Sequence, residues 1–260
     1  MLADNQLIKR LQNGTIKGII LDFDGTILDI RKTLKNAIEE VYEEKHISAD
    51  IESTIQEIGA LMETIQGLPL PKIVLESFDL VKYIESLQSL TFLKKLQIAT
   101  KIFTRYLNYA KEASFYPEAT EFITKYKKTY DLFIVSHNQT KNIIPHLEEK
   151  KVKGFFKGIF GADLLPALKP DANALKPVFE SYKSCKLKEF VMIGDMPSDI
   201  EAGREAGVWT IGVASGVSKR ETLEKFNPSL LIESLDELVR IIENKDLSNS
   251  STKNRVEIKS

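Results

Sequence analysis

The chemistry legible in this chain starts with two acids one residue apart, Asp22 and Asp24, in the run Asp22-Phe23-Asp24-Gly25-Thr26. In extended backbone, residues i and i+2 project to the same side, so both carboxylates would leave a strand end together. At that distance they repel each other and call for compensation. A divalent cation compensates well: Mg²⁺ takes oxygen ligands and commonly combines one or two carboxylates with phosphate oxygens and water. Gly25 permits a sharp turn directly after the pair. The same residues would also suit a strand closed by an Asp-Gly turn with a capping role.

Three further polar clusters follow apolar runs. Gly194-Asp195-Met196-Pro197-Ser198-Asp199 would place Asp195 at a strand end, beside the first pair if the two strands are neighbours. Asp199 would also serve as a cap or first-turn acid of the next helix. Val135-Ser136-His137-Asn138 offers a hydroxyl and N–H groups before a helix, which makes either an anion site or a plain Ser/Asn cap. Leu168-Lys169-Pro170-Asp171 supplies a cation, with a proline that pre-organises the loop. A second Leu-Lys-Pro ends at Pro177, but Lys176 would fall inside a helix and point away from the strand ends. Lys169 is therefore the better placed of the two, against the plainer reading of a solvated lysine.

These clusters need elements to hold them. Residues 16–23 are a nearly continuous apolar run, as expected of a strand buried on both faces of a parallel sheet. Beyond Tyr116-Pro117, helices (118–127, 141–150, 172–184, 199–206) alternate with short apolar runs (132–136, 155–160, 190–194, 208–213). Residues 230–232 and 235–242 close the series. Such alternation predicts an α/β fold with a Rossmann-like parallel sheet core. Residues 31–112 contain no convincing strand and carry apolar residues at helical spacing, broken at Gly67-Leu68-Pro69-Leu70-Pro71. The expected layout is a catalytic core of 1–30 and 113–243, an all-helical cap of 31–112, and a polar, disordered tail of 244–260. An insertion after the first strand sits at the sheet edge where ligands bind, and can act as a lid.

Composition narrows the setting. In 260 residues, 36 Lys and Arg balance 37 Asp and Glu, so there is no general field for nucleic acid or an anionic membrane. With Cys185 the only cysteine, no internal disulfide can form. Three histidines and one cysteine make a structural zinc site improbable. The first residues lack the apolar stretch of a signal peptide and no long apolar run follows, so a cytoplasmic protein, monomer or weak homodimer, is expected.

Taken together, Asp-x-Asp, Ser, Lys and Gly-Asp-x-x-x-Asp at successive strand ends resemble the four motifs of the haloacid dehalogenase superfamily. The likeness is strongest in the eight residues from Asp22 to Asp29 and the ten from Gly194 to Gly203. The helical insertion resembles the branch that includes phosphoglycolate phosphatases and phosphomutases. The resemblance implies that Asp22 is a nucleophile forming an aspartyl-phosphate and that Asp24 is the general acid and base. It implies Mg²⁺ held by the Asp22 and Asp195 carboxylates and the Asp24 main-chain carbonyl. Ser136, with its neighbour His137, and Lys169 would bind the phosphoryl group; Thr26 would orient Asp24, and Asp199 would support the metal indirectly. Members that cleave carbon–halogen bonds differ at the position of Asp24, which favours phosphoryl chemistry. His137 stands where asparagine is usual and Ala172 where proline is common.

Substrate choice is expected to reside in the insertion. Lys94, Lys101 and Arg105, spaced by seven and four, would share one helix face and suit a second anionic group, unless that face is simply solvated. The leading expectation is a Mg²⁺-dependent phosphatase acting on a small phosphorylated substrate, with neither nucleic acid nor membrane as partner. A phosphomutase and a non-catalytic binding protein are the alternatives.

Overall fold

Gly18-Ile19-Ile20-Leu21 shows no polar-apolar alternation because both of its faces are covered. In the computed structural model, which describes residues 5–65, 84–182 and 184–243, this segment is β1 (Gly18–Leu21), and all four residues are buried. β2 (Asp131–Val135), β3 (Phe156–Phe160), β4 (Phe190–Gly194), β5 (Trp209–Val213) and β6 (Leu230–Ile232) complete one parallel sheet among the described residues. Its order is β3-β2-β1-β4-β5-β6. Ile19 and Leu21 pack with Leu132, Ile134, Val191 and Ile193 on one face, while Ile20 joins Phe133, Val135 and Met192 on the other. The period-two alternation of strand side chains thus feeds two cores at once.

Among the described residues the α-helices are α1 (Asn5–Gln12), α2 (Ile30–Lys45), α3 (Ile51–Ile65), α4 (Phe92–Ala110), α5 (Pro117–Tyr126), α6 (Thr140–Glu149), α7 (Lys176–Glu180), α8 (Pro197–Glu205), α9 (Arg220–Lys225) and α10 (Leu235–Ile242). The α/β core expected from the sequence is present, with boundaries moved by a residue or two. One element differs. The helix expected over 172–184 is a 3-10 turn, Ala172–Leu175, followed by the short α7. Pro177 lacks an N–H, and inside a continuous helix its ring would clash with the carbonyl four residues back. The chain instead restarts a helix there, with Pro177 in its first turn.

Between β1 and α5 the described helices are α2, α3, a 3-10 turn at Glu85–Leu87 and α4. Leu34, Ala37, Ile38, Val41 and Tyr42 form the buried stripe of α2, and Ile98, Ile102 and Tyr106 that of α4. Both stripes join the apolar cluster on one face of the sheet. Asp29 caps α2 by accepting the Lys32 N–H at 3.1 Å. The outgoing and returning chains run antiparallel beside each other: Leu28 bridges Phe115, Asp29 N–H donates to Ser114 O and Tyr116 N–H to Ile27 O, both at 2.9 Å. The break expected at 67–71 and the tail at 244–260 lie outside the described residues. No described helix is long and apolar enough to cross a membrane.

Candidate active site

Successive strands run outward from β1 to β3 on one side and from β4 to β6 on the other, so the direction reverses between β1 and β4. A crevice at such a reversal is where open α/β sheets bind ligands. Asp22 follows β1 and Asp195 follows β4. Asp22 N–H donates to Ile193 O at 2.9 Å, which carries the pairing one residue past β1 and brings the two acids to adjacent strand ends.

Lys169 joins them from the loop after β3. Its ammonium donates to Asp22 Oδ1 at 2.7 Å and to Asp199 Oδ1 at 2.5 Å, and the side chain is buried. Lys176, by contrast, is exposed at the start of α7. Asp199 is the first-turn acid of α8, where one oxygen accepts the Met196 N–H at 3.0 Å, and its other oxygen accepts from Lys169. Carboxylate oxygens of Asp22, Asp195 and Asp199 lie within 4.8 Å of one another. The carboxyl of Asp24 is outside that group; its Oδ1 accepts from Asn138 Nδ2 at 3.4 Å and its buried Oδ2 has no hydrogen-bond partner.

Ser136 and His137 follow β2 and are buried. Ser136 N–H donates to Phe160 O at 3.0 Å, and its hydroxyl oxygen accepts the Asn138 N–H at 3.1 Å. Asn138, which the sequence marks only as part of this cluster, is thus the neighbour of Asp24. Its own Oδ1 accepts from Gln139 N–H and Asn142 Nδ2, at 2.8 and 2.9 Å, which orients the amide.

Thr26 corrects one expectation. Its hydroxyl donates to Asp195 Oδ1 at 3.2 Å and orients that acid, not Asp24. The cause is Gly25, whose φ of +85° swings the chain toward β4 and lays the glycine against the Asp195 carboxylate. A second glycine, Gly216, also abuts Asp195, and Val217 N–H donates to Asp195 Oδ2 at 2.8 Å. These main-chain contacts have no residue-type signature that a sequence would reveal.

The basic face of α4 is a second correction. Lys101 pairs with Glu44 at 2.5 Å and Arg105 with Glu40 at 3.0 Å, both acids on α2 and all four side chains exposed. Tyr109 OH also donates to Glu40, at 2.6 Å. Two of the three cations are therefore engaged between helices; Lys94 lies exposed in the first turn of α4. The α4 residue whose charge environment includes the site is Tyr106. It is buried, and its hydroxyl pKa is pushed up by burial and by the Asp24 charge.

Burial dominates the electrostatics. It pushes the Asp24 carboxyl up to about 6, against the opposing pull of Asn138 and Lys169. Asp195 is pushed up to about 7 by burial and by the Asp199 charge, against the Val217 N–H, Lys169 and Thr26. Burial also raises Asp22 well above the usual carboxylate range; Lys169 opposes this, and the charges of Asp199, Asp195 and Asp24 add to it. For Lys169 burial works against the charge, but the carboxylates of Asp199 and Asp22 outweigh it and hold the ammonium protonated. One buried cation faces three clustered acids. An excess of hard oxygen donors, with Gly25 and Gly216 leaving no room for a side chain against Asp195, fits a small divalent cation such as Mg²⁺.

The chain is similar to known proteins in sequence and in fold. Residues 19–213 match the family model for haloacid dehalogenase-like hydrolases. The phosphoglycolate phosphatase of Vibrio parahaemolyticus is 24% identical over 229 residues, spanning 87% of this chain and 96% of that protein. Pyrophosphatase PpaX of Listeria welshimeri is 31% identical over 121 residues, 46% of this chain and 55% of that protein. Among solved structures, Bacillus subtilis YfnB, bound to magnesium, superposes with a TM-score of 0.63 at 20% identity, covering 88% of this chain and 99% of that one.

Proposed function

The chain belongs to the haloacid dehalogenase-like hydrolase family, and on that premise we propose a Mg²⁺-dependent phosphatase that hydrolyses small phosphomonoesters through an aspartyl-phosphate on Asp22. It is a phosphate-ester hydrolase of the phosphoglycolate phosphatase-like branch. The observation that carries the finer reading is the contrast between two neighbouring acids. Asp22 is pinned by Lys169 at 2.7 Å, while Asp24 takes a longer bond from Asn138 at 3.4 Å and keeps a buried oxygen without one; burial raises both carboxyls.

Each acid is suited to one task. Lys169 favours the ionised form of Asp22, which attacks phosphorus as the P–O bond to the alcohol breaks. Asp24, partly protonated near neutral pH, gives its proton to the departing oxygen. The resulting Asp24 carboxylate then takes a proton from water. The oxygen of that water attacks phosphorus, the bond to Asp22 breaks, and inorganic phosphate leaves. Ser136, with His137 beside it, would hold the phosphoryl oxygens, and Lys169 would offset their charge. Asn138 keeps Asp24 turned toward the departing oxygen. Mg²⁺, held by the Asp22 and Asp195 carboxylates with Asp199 behind them, would supply neutralisation of phosphoryl charge.

The test is phosphate release from a panel of phosphomonoesters, with Mg²⁺ or with EDTA, for the wild type beside Asp22→Asn. Release that needs Mg²⁺ and vanishes in Asp22→Asn supports the reading. Absence of turnover and of any phosphorylated enzyme across the panel would sink it.

A further inference from the structure

We infer that Arg31 and Tyr116 are positioning residues for Asp195 and tie cation affinity to the placement of the helical insertion; the inference rests on the reading of Asp195 as a cation ligand. The link is a single loop. Its start is tied to the sheet where Ala214 N–H donates to Ile232 O at 2.9 Å. Its Val217 N–H then holds Asp195 Oδ2 at 2.8 Å, while Gly216 lies against the same carboxylate. The carbonyl of that very peptide, Gly216 O, accepts from Arg31 Nη1 at 3.3 Å. The preceding carbonyl, Ser215 O, accepts from Tyr116 OH at 3.2 Å.

Arg31 stands in the first turn of α2, on the chain leaving the sheet, and Tyr116 on the chain returning to it. Both passages of the insertion therefore hold consecutive carbonyls of one loop. Arg31 is itself held from α3, where Nη2 meets Glu52 at 2.6 Å. A cation on a peptide carbonyl polarises the unit and strengthens its N–H as a donor. Arg31 thus acts on Asp195 through one peptide, without touching it. A shift of α2 and α3 carries the guanidinium with it and loosens the Val217 contact. By reciprocity, a cation on Asp195 favours the insertion placement seen here.

The experiment is calorimetric titration of the full chain with Mg²⁺, paired with melting in EDTA. Arg31→Met should weaken Mg²⁺ binding about tenfold, as loss of one charge-assisted hydrogen bond implies, with little change in the EDTA melt. Tyr116→Phe should weaken it by a smaller factor, and Arg31→Lys should recover part of the loss. Should Arg31→Met fail to fold, Tyr116→Phe carries the test. Wild-type affinity in the variants that fold overturns the inference, as do affinity losses that merely track the EDTA melting temperature. A wild type that binds no Mg²⁺ overturns the inference together with the cation-dependent reading; unchanged variants beside a binding wild type overturn the inference alone.

Discussion

The ammonium of Lys169 lies 2.7 Å from Oδ1 of Asp22, with side-chain exposures of only 2% and 8%. Neither charge is solvated, so each depends on the other. Replacing Lys169 by Met leaves the acids Asp22, Asp195 and Asp199 without their cation. Breaking one side of a buried pair costs about 3 kcal/mol or more. Urea denaturation in EDTA should show that loss, and Mg²⁺ should return part of it.

Proton linkage gives a prediction of definite sign. Asp195, at about 7, and Asp22 both sit above the ordinary aspartate value of 3.8 in the folded chain. The folded state therefore binds more protons than the unfolded one between those limits, and cation-free stability falls as pH rises through them. Melting in EDTA should be highest near the acid end of the window and drop toward about pH 7 and beyond. Added Mg²⁺ should raise the melting temperature more above the window than inside it. Asp195→Asn should flatten both trends.

Asp24→Asn separates the two half-reactions. An alkyl ester needs a proton on its departing oxygen, so turnover should fall on the order of 10²- to 10⁴-fold. An aryl ester such as p-nitrophenyl phosphate leaves as a weakly basic phenolate and should still phosphorylate Asp22. Water then lacks its base, and phosphorylated enzyme should accumulate. Rapid quench with labelled ester would detect it; equal losses for both esters would argue against the assigned role.

Gly25→Ala meets two obstacles at once. The residue holds φ +85°, and an added Cβ would run into the Asp195 carboxylate. Backbone strain alone costs on the order of 1–3 kcal/mol. Calorimetry should show weakened Mg²⁺ binding in addition, since relief of the clash displaces Asp195.

The engaged face of α4 predicts a near-silent result. Lys101 and Lys45 together hold the Glu44 pKa at about 2, and Arg105 is taken up by Glu40. Lys101→Gln and Arg105→Gln should leave KM for any accepted ester within about twofold, as expected of exposed pairs already engaged between helices. A large rise in KM would return both residues to the substrate.

The strand-end clusters were legible because strand termini, turn glycines and acids announce themselves by type. The sequence favours Lys169 over Lys176 because a helix over 172–184 would turn Lys176 away from the strand ends; the 3-10 turn and short α7 that form there leave Lys176 exposed. What stayed hidden was of two kinds. Contacts made by main chain, such as Val217 N–H on Asp195 or the carbonyls of Ser215 and Gly216, look the same for almost any side chain. Pairings across the insertion depend on how α2 lies against α4, so the acids Glu40 and Glu44 could not be matched to Arg105 and Lys101 by spacing within one helix. Thr26 meets Asp195 instead of Asp24 because the turn at Gly25 redirects it.

The antiparallel bridge between Leu28 and Phe115 has a consequence for how such a molecule can change. Seen from the sheet, everything between those two residues is a closed excursion whose ends are already joined. A helical module of another length or lining could be transplanted there without asking any strand to move, provided that its two ends meet at the same spacing. Recognition can then drift while the catalytic acids stay in register. The exception is the loop that Arg31 and Tyr116 hold, where a transplanted module would have to supply its own grip.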